Sequence, residues 1–120
     1  MGVEYTLVNE SKKECISFHN MQGSKAKELA GNPAQAAIVT WYLLKNQGDA
    51  VQLVSDSYDD WPFNSGDKKQ LVEYKDVTSM YIQMLIDEGI LKIDGKLYTD
   101  QDDPDNIYIL NIKNIWLDNA

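Results

Sequence analysis

Apolar and polar residues alternate over 4–8 and again over 14–18, so Tyr5 and Leu7 share one face of a strand and Ile16 and Phe18 share one face of the next. The turn-forming NESKK between them predicts an antiparallel hairpin. Residues 23–31 are bounded by glycines and hold one short helical turn around 25–30, which makes this stretch a connector. From Asn32 the period changes to that of a helix. Asn32 stands as N-cap, Pro33 occupies the first helical position, Gln35 sits where a capping-box partner would, and Gly48 marks the stop. The predicted helix, 32–47, sets Ala34, Ala37, Ile38, Trp41 and Leu44 on one face. Val39 and Tyr42 point elsewhere, which places the helix centrally, against a sheet.

Val51 to Val54 reads as a short buried strand that runs into the loop SDSYDDWPFNSGD, which Trp61 and Phe63 should anchor by turning inward. Asp76 caps a second helix, 77–88, closed by Gly89, with Val77, Met80, Tyr81, Met84 and Leu85 as its apolar arc, which Ile82 and Ile86 widen. Asp94-Gly95 between 90–93 and 96–99 is a type I′ hairpin signal. The polar loop DQDDPDN then leads to an alternating strand over 107–112, and Trp116 and Leu117 serve as anchors near the end. The order β-β-α-β-α-β-β-β predicts a single α+β domain over 1–120, with a mixed or antiparallel sheet of about six strands packed on two main helices.

Composition adds constraints on function. Of 120 residues, 43% are hydrophobic and 25% charged, which is the balance of a globular chain. The longest apolar run, 36–44, is broken by Thr40 and falls short of the ~20 residues of a membrane span. The opening residues lack the basic start and apolar stretch of a secretory signal, and the lone Cys15 forms no internal disulfide, so the expected location is the cytoplasm. Charge changes the picture most. All 11 basic residues are lysines, against 19 acids, for a net charge of −8, which argues against direct contact with nucleic acid phosphates. The lysine-free stretch 46–66 holds Asp49, Asp56, Asp59 and Asp60, and the lysine-free stretch 97–112 holds Asp100, Asp102, Asp103 and Asp105; these equal the whole excess.

Candidate chemistry finds little support. Cys15 and His19, the one local pair of nucleophile and base, would lie about 13 Å apart along a strand, beyond the ~3 Å that thiolate activation requires. GxSxG, P-loop and GxGxxG patterns are missing, and one His with one Cys does not make a zinc site. Asp100, Asp102 and Asp105 resemble the start of a calcium loop, but Asp105 and Asn111 stand where the glycine and the bidentate glutamate belong. Asp56, Asp59 and Asp60 beside Tyr58 and Trp61 could form a paired-carboxylate glycosidase site; a loop pinned by Trp61-Pro62-Phe63 with its acids in water is the simpler reading. Residues 78–97 have the outline of a winged-helix ending, yet offer only Lys92 and Lys96 against Asp87, Glu88 and Asp94. No catalytic residue, metal or cofactor is therefore assigned.

Clustered carboxylates with aromatic neighbours suit another task, the steering and docking of a basic protein partner. The expected partner-binding residues are Asp56, Tyr58, Asp59, Asp60, Trp61, Asp100, Asp102, Asp103 and Asp105, flanked by Tyr98 and Tyr108. Two alternatives use the same acids: a carboxylate-dependent or metal-assisted hydrolase, and an inhibitor that mimics nucleic acid.

The opening YTLVNESKKECISF and the later AAIVTWYLLKNQGDAVQLVSDSYDDWP resemble a widespread group of small bacterial proteins, some of which are similar to immunity proteins of polymorphic toxin and contact-dependent growth inhibition systems. The resemblance covers about the first half of the chain. It implies an inhibitor that occludes a toxin, often a basic nuclease, and it transfers no individual contact residue.

Overall fold

The computed structural model describes residues 3–21, 23–57, 59–98 and 108–116. The two alternating stretches near the start form β1 (Tyr5–Asn9) and β2 (Glu14–Ser17), paired antiparallel with Leu7 opposite Ile16. Their turn is closed by the Asn9 side chain, which accepts the Lys12 N–H at 2.9 Å, while Lys13 takes a φ of 56°. β3 (Val51–Ser55) adds antiparallel to the other side of β1, and β4 (Lys75–Asp76) adds parallel to β2, giving the order β3-β1-β2-β4. A second, two-stranded antiparallel sheet is made by β5 (Leu91–Tyr98) and β6 (Tyr108–Asn114). The helices are α1 (Ala26–Gly31), α2 (Pro33–Lys45) and α3 (Thr78–Asp87), with a 3-10 helix at Lys68–Glu73. The class is α+β.

Strand alternation sends neighbouring side chains to opposite faces of the four-stranded sheet. Leu7 and Ile16 enter the main core with Phe18, Ile38, Tyr42, Tyr81 and Leu85, and Leu91 and Ile112 of the second sheet join the same core. Val8 and Val54 face the other way, against Tyr74, with Cys15, Trp61, Phe63 and Leu71 around them. The sheet is thus covered by helices on one face and by the segment that follows β3 on the other.

Several sequence expectations are corrected. The strand over 51–54, expected to be buried, is an edge of the main sheet, with Gln52 and Leu53 exposed because among the described residues no strand pairs beyond it. Trp116, expected as an anchor, is exposed, and Leu117 lies outside the described residues. Asp94-Gly95 is not a hairpin turn. β5 continues through it, because β6 is long enough to pair along its whole length, and the two residues form a bulge between Ile93 opposite Ile112 and Lys96 opposite Leu110. Gly95 supplies a φ of 88°, and the Asp94 carbonyl accepts the Asn111 amide at 3.1 Å. On α2, Leu44 is 56% exposed whereas Tyr42 is 1% exposed, so the buried face is rotated toward Tyr42. The reason is polar: the Tyr42 hydroxyl donates to Glu14 Oε1 at 2.7 Å, and its ring lies 4.8 Å from that of Tyr81. On α3, Met80, expected in the apolar arc, is exposed, while Ile82, expected to widen that arc, is buried. Gln35 makes no capping box, because the Asn32 N–H already donates to the Glu28 carbonyl of α1 at 3.0 Å; Gln35 instead donates to the Gly23 carbonyl at 3.1 Å. The cap by Asn32, accepting from Ala34 N–H at 3.1 Å, is as expected, whereas α3 starts one residue later than expected, with Val77 as its N-cap, and Asp76 accepts the Thr78 N–H at 2.9 Å from the position before it. The short β4 and the 3-10 helix carry no clear period in the sequence and were not expected.

Candidate functional site

The acidic loop begins where β3 ends. There the Ser55 N–H donates to Asp60 Oδ2 at 2.7 Å, and the Lys68 ammonium donates to the carbonyls of Ser55 and Ser57. Trp61 fixes the far side of the loop. Its Nε1 donates to the Ser65 carbonyl at 2.9 Å, and its ring stands edge-on to Phe63 and Tyr74 at centroid distances of 4.9 and 6.2 Å. The inward turn of Trp61 and Phe63 expected from the sequence is present. Asp67 then starts the 3-10 helix by accepting the Lys69 N–H at 2.6 Å. Within this frame Asp60 serves the loop itself, whereas Asp56 and Asp59 are exposed, and their carboxylates have no partner among the described residues.

Asp60 is held below the ordinary carboxylate range by the Ser55 hydroxyl, then by the Ser55 N–H, with the Lys68 charge adding to both. A depressed pKa means that the stabilising contact is in place above the unfolded value of about 3.9 and is lost as pH falls through the lower folded value. The Ser55 amide resonance is therefore expected to stay constant from neutral pH to about pH 4 and to move below it. In Asp60→Asn, which has no proton to gain, that movement should vanish; its persistence would contradict the assignment.

The first lysine-free stretch of sequence is not free of cations in space. Lys12 reaches Asp49 at 3.4 Å, where Asn9 also donates at 2.9 Å; outside both stretches, Lys113 pairs with Asp94 at 2.9 Å. Lys68, from beyond the first stretch, folds back into it. A cleft of about 580 Å³ beside the loop is lined by Asp56, Trp61, Gly66, Asp67, Lys68 and Lys69, so its wall is mixed in charge. Sequence reading missed this lysine clip. The pair Lys68-Lys69 immediately after the loop was the available signal.

Tyr58, Asp100, Asp102, Asp103 and Asp105 lie outside the described residues. The stems of the two acidic segments do share one end of the main sheet. The Asp56 N–H donates to the Glu4 carbonyl at 2.9 Å just ahead of β1, and Ile109 of β6 borders the same cleft as Glu4, while the Leu110 N–H donates to Asn20 just beyond β2 at 2.7 Å.

Cys15 and His19 belong to different surroundings. Cys15 packs toward Val8 and Tyr74, and its thiol is pushed up to about 11 by burial, with Asp76 and Glu14 adding to the effect. His19 is exposed, its Nδ1 at 2.7 Å from Ser17 Oγ. Among the described residues no group of three or more His, Cys, Asp and Glu side chains is arranged to hold a metal ion, and no helix is long and apolar enough to cross a membrane. The chain matches no protein-family model, no curated protein and no solved structure.

Proposed function

We propose that this protein binds a basic protein partner through the acidic end of its main sheet, and that it acts as an immunity-type inhibitor that occludes a toxin domain in the cytoplasm. One observation carries the reading: Asp56 and Asp59 stand exposed, their carboxylates without a partner among the described residues, on a loop that Trp61, Phe63 and Tyr74 hold against the sheet. A carboxylate on a loop held in place before binding loses little conformational freedom on docking, and one outside any ion pair keeps its hydrogen-bonding capacity for an incoming cation. Asp60 of the same loop, and Asp49 and Asp94 elsewhere, are engaged within the molecule. Asp100, Asp102, Asp103 and Asp105 extend the proposed surface, supported by the shared exit of the two stems.

The test is affinity for a basic protein captured from the native cell. Asp56→Asn/Asp59→Asn is expected to weaken binding by at least about tenfold, or ~1.4 kcal/mol, with the unfolding midpoint unchanged. A charge-matched control, Asp87→Asn/Glu88→Gln on the last turn of α3 and beyond it, should leave affinity unchanged. Equal loss from both pairs would mean that net charge, not this loop, sets binding.

A further inference from the structure

The two edges of the main sheet are guarded very differently. β4, at one edge, is two residues long and consists of exposed Lys75 and Asp76, an arrangement that discourages further strand addition. β3, at the other, is Val51-Gln52-Leu53-Val54-Ser55, with no charge, no proline and no bulge.

Hydrogen bonds fix which backbone groups β3 turns outward. The Asp56 N–H donates to Glu4 and the Ala50 carbonyl accepts from Glu10, both at 2.9 Å, so the even positions face β1 and Val51, Leu53 and Ser55 face away from it. Ser55 is closed off, its N–H taken by Asp60 and its carbonyl by Lys68. The N–H and carbonyl of Val51 and Leu53 have no hydrogen-bond partner among the described residues. Beside this open stretch, on the helical face, is an apolar groove of about 450 Å³ whose walls include Tyr5, Ala26, Leu29, Ala36, Val39 and Leu53. Alanines at a helix–sheet junction leave room that larger side chains would fill. Past the closed end stand the exposed carboxylates of Asp56 and Asp59, without partners among the described residues.

We infer that the partner engages by adding an extended segment antiparallel to β3, with apolar residues at the two positions opposite Val51 and Leu53 and basic residues at its N-terminal end, beside Asp56 and Asp59. This rests on the proposed function and gives it a binding mode. Residues directly opposite one another in a sheet share a face, so the two apolar side chains enter the groove that Leu53 borders. Antiparallel alignment brings the N-terminal half of the incoming strand to the acidic end of β3. The Asp60 and Lys68 clip stops the ladder there and leaves the basic end to pair with the carboxylates.

The test uses a synthetic peptide, Lys-Lys-Thr-Val-Thr-Val-Thr, at about 1 mM and amide hydrogen exchange read at Val51 and Leu53. Exchange at both amides is expected to slow by at least about tenfold, to slow much less with Glu-Glu in place of Lys-Lys, and not to slow with a peptide N-methylated at its two valines. Unchanged exchange with the basic peptide overturns the inference. So does slow exchange in the free protein at micromolar dilution, which would mean that the chain covers its own edge, and so does protection that grows with protein concentration alone, which would mean that a second copy does. If the captured basic protein binds in an Asp56- and Asp59-dependent way while Val51 and Leu53 stay unprotected, the proposed function stands and this binding mode falls.

Discussion

Leu85→Ala is expected to cost about 2–5 kcal/mol of unfolding free energy and to lower the thermal midpoint by on the order of 10 °C. Leu85 is 0% exposed and lies on α3 one turn from Tyr81 and Ile82, inside the core shared by the main sheet, α2 and both strands of the second sheet. Truncation there leaves a void bordered by several elements, which cannot all close on it at once. The Leu85 carbonyl also accepts the Ile90 N–H at 2.9 Å, the bond that turns the chain from α3 into β5. Chemical denaturation checks the value. A loss below about 1 kcal/mol would show that the helices and the second sheet do not pack through this residue. Because Leu85 is far along the chain from the acidic loop and on the other face of the sheet from Trp61, partner affinity at a temperature where the variant stays folded should match that of the parent.

Trp61→Ala is expected to act on the opposite layer and to separate stability from binding. Trp61 is half-buried and joins Phe63, Tyr74 and Leu71 over Val8 and Val54, so its removal should cost about 2 kcal/mol, less than a fully buried tryptophan would. Local exchange should rise across 55–75 while amides of α3 keep their protection. Affinity for the basic partner should fall even though no carboxylate has been altered, because Asp56 and Asp59 would then have to be ordered during binding. Uniform loss of protection throughout the molecule, with affinity intact, would contradict the pinning role.

Much of the fold follows from local signals. The hairpin of β1 and β2, the Asn32 cap and the inward Trp61 and Phe63 rest on residues close together in sequence, where alternation and cap chemistry are decisive. Failures arose where a distant partner overrode the local preference. Asp94-Gly95 carries a strong turn signal, yet a strand more than ten residues later supplied enough pairing to draw it into β5 as a bulge. Tyr42 displaced Leu44 from the buried face because Glu14, in β2, offers its hydroxyl an acceptor. The candidate site divides in the same way. That carboxylates concentrate after β3 was legible; that Asp60 would be consumed by Ser55, Asp49 by Lys12 and Asn9, and that Lys68 would reach back into the loop depends on tertiary proximity that spacing does not encode.

In the proposed function, the exposed negative charge of Asp56 and Asp59 beside β3 draws in a basic partner. The most direct measurement is the association rate constant of the captured partner between about 50 and about 500 mM salt, for the parent and for Asp56→Asn/Asp59→Asn. A steep fall with salt for the parent and a clearly shallower one for the variant is the predicted result. Equal slopes for the two proteins, or a rate that salt leaves unchanged, would contradict it.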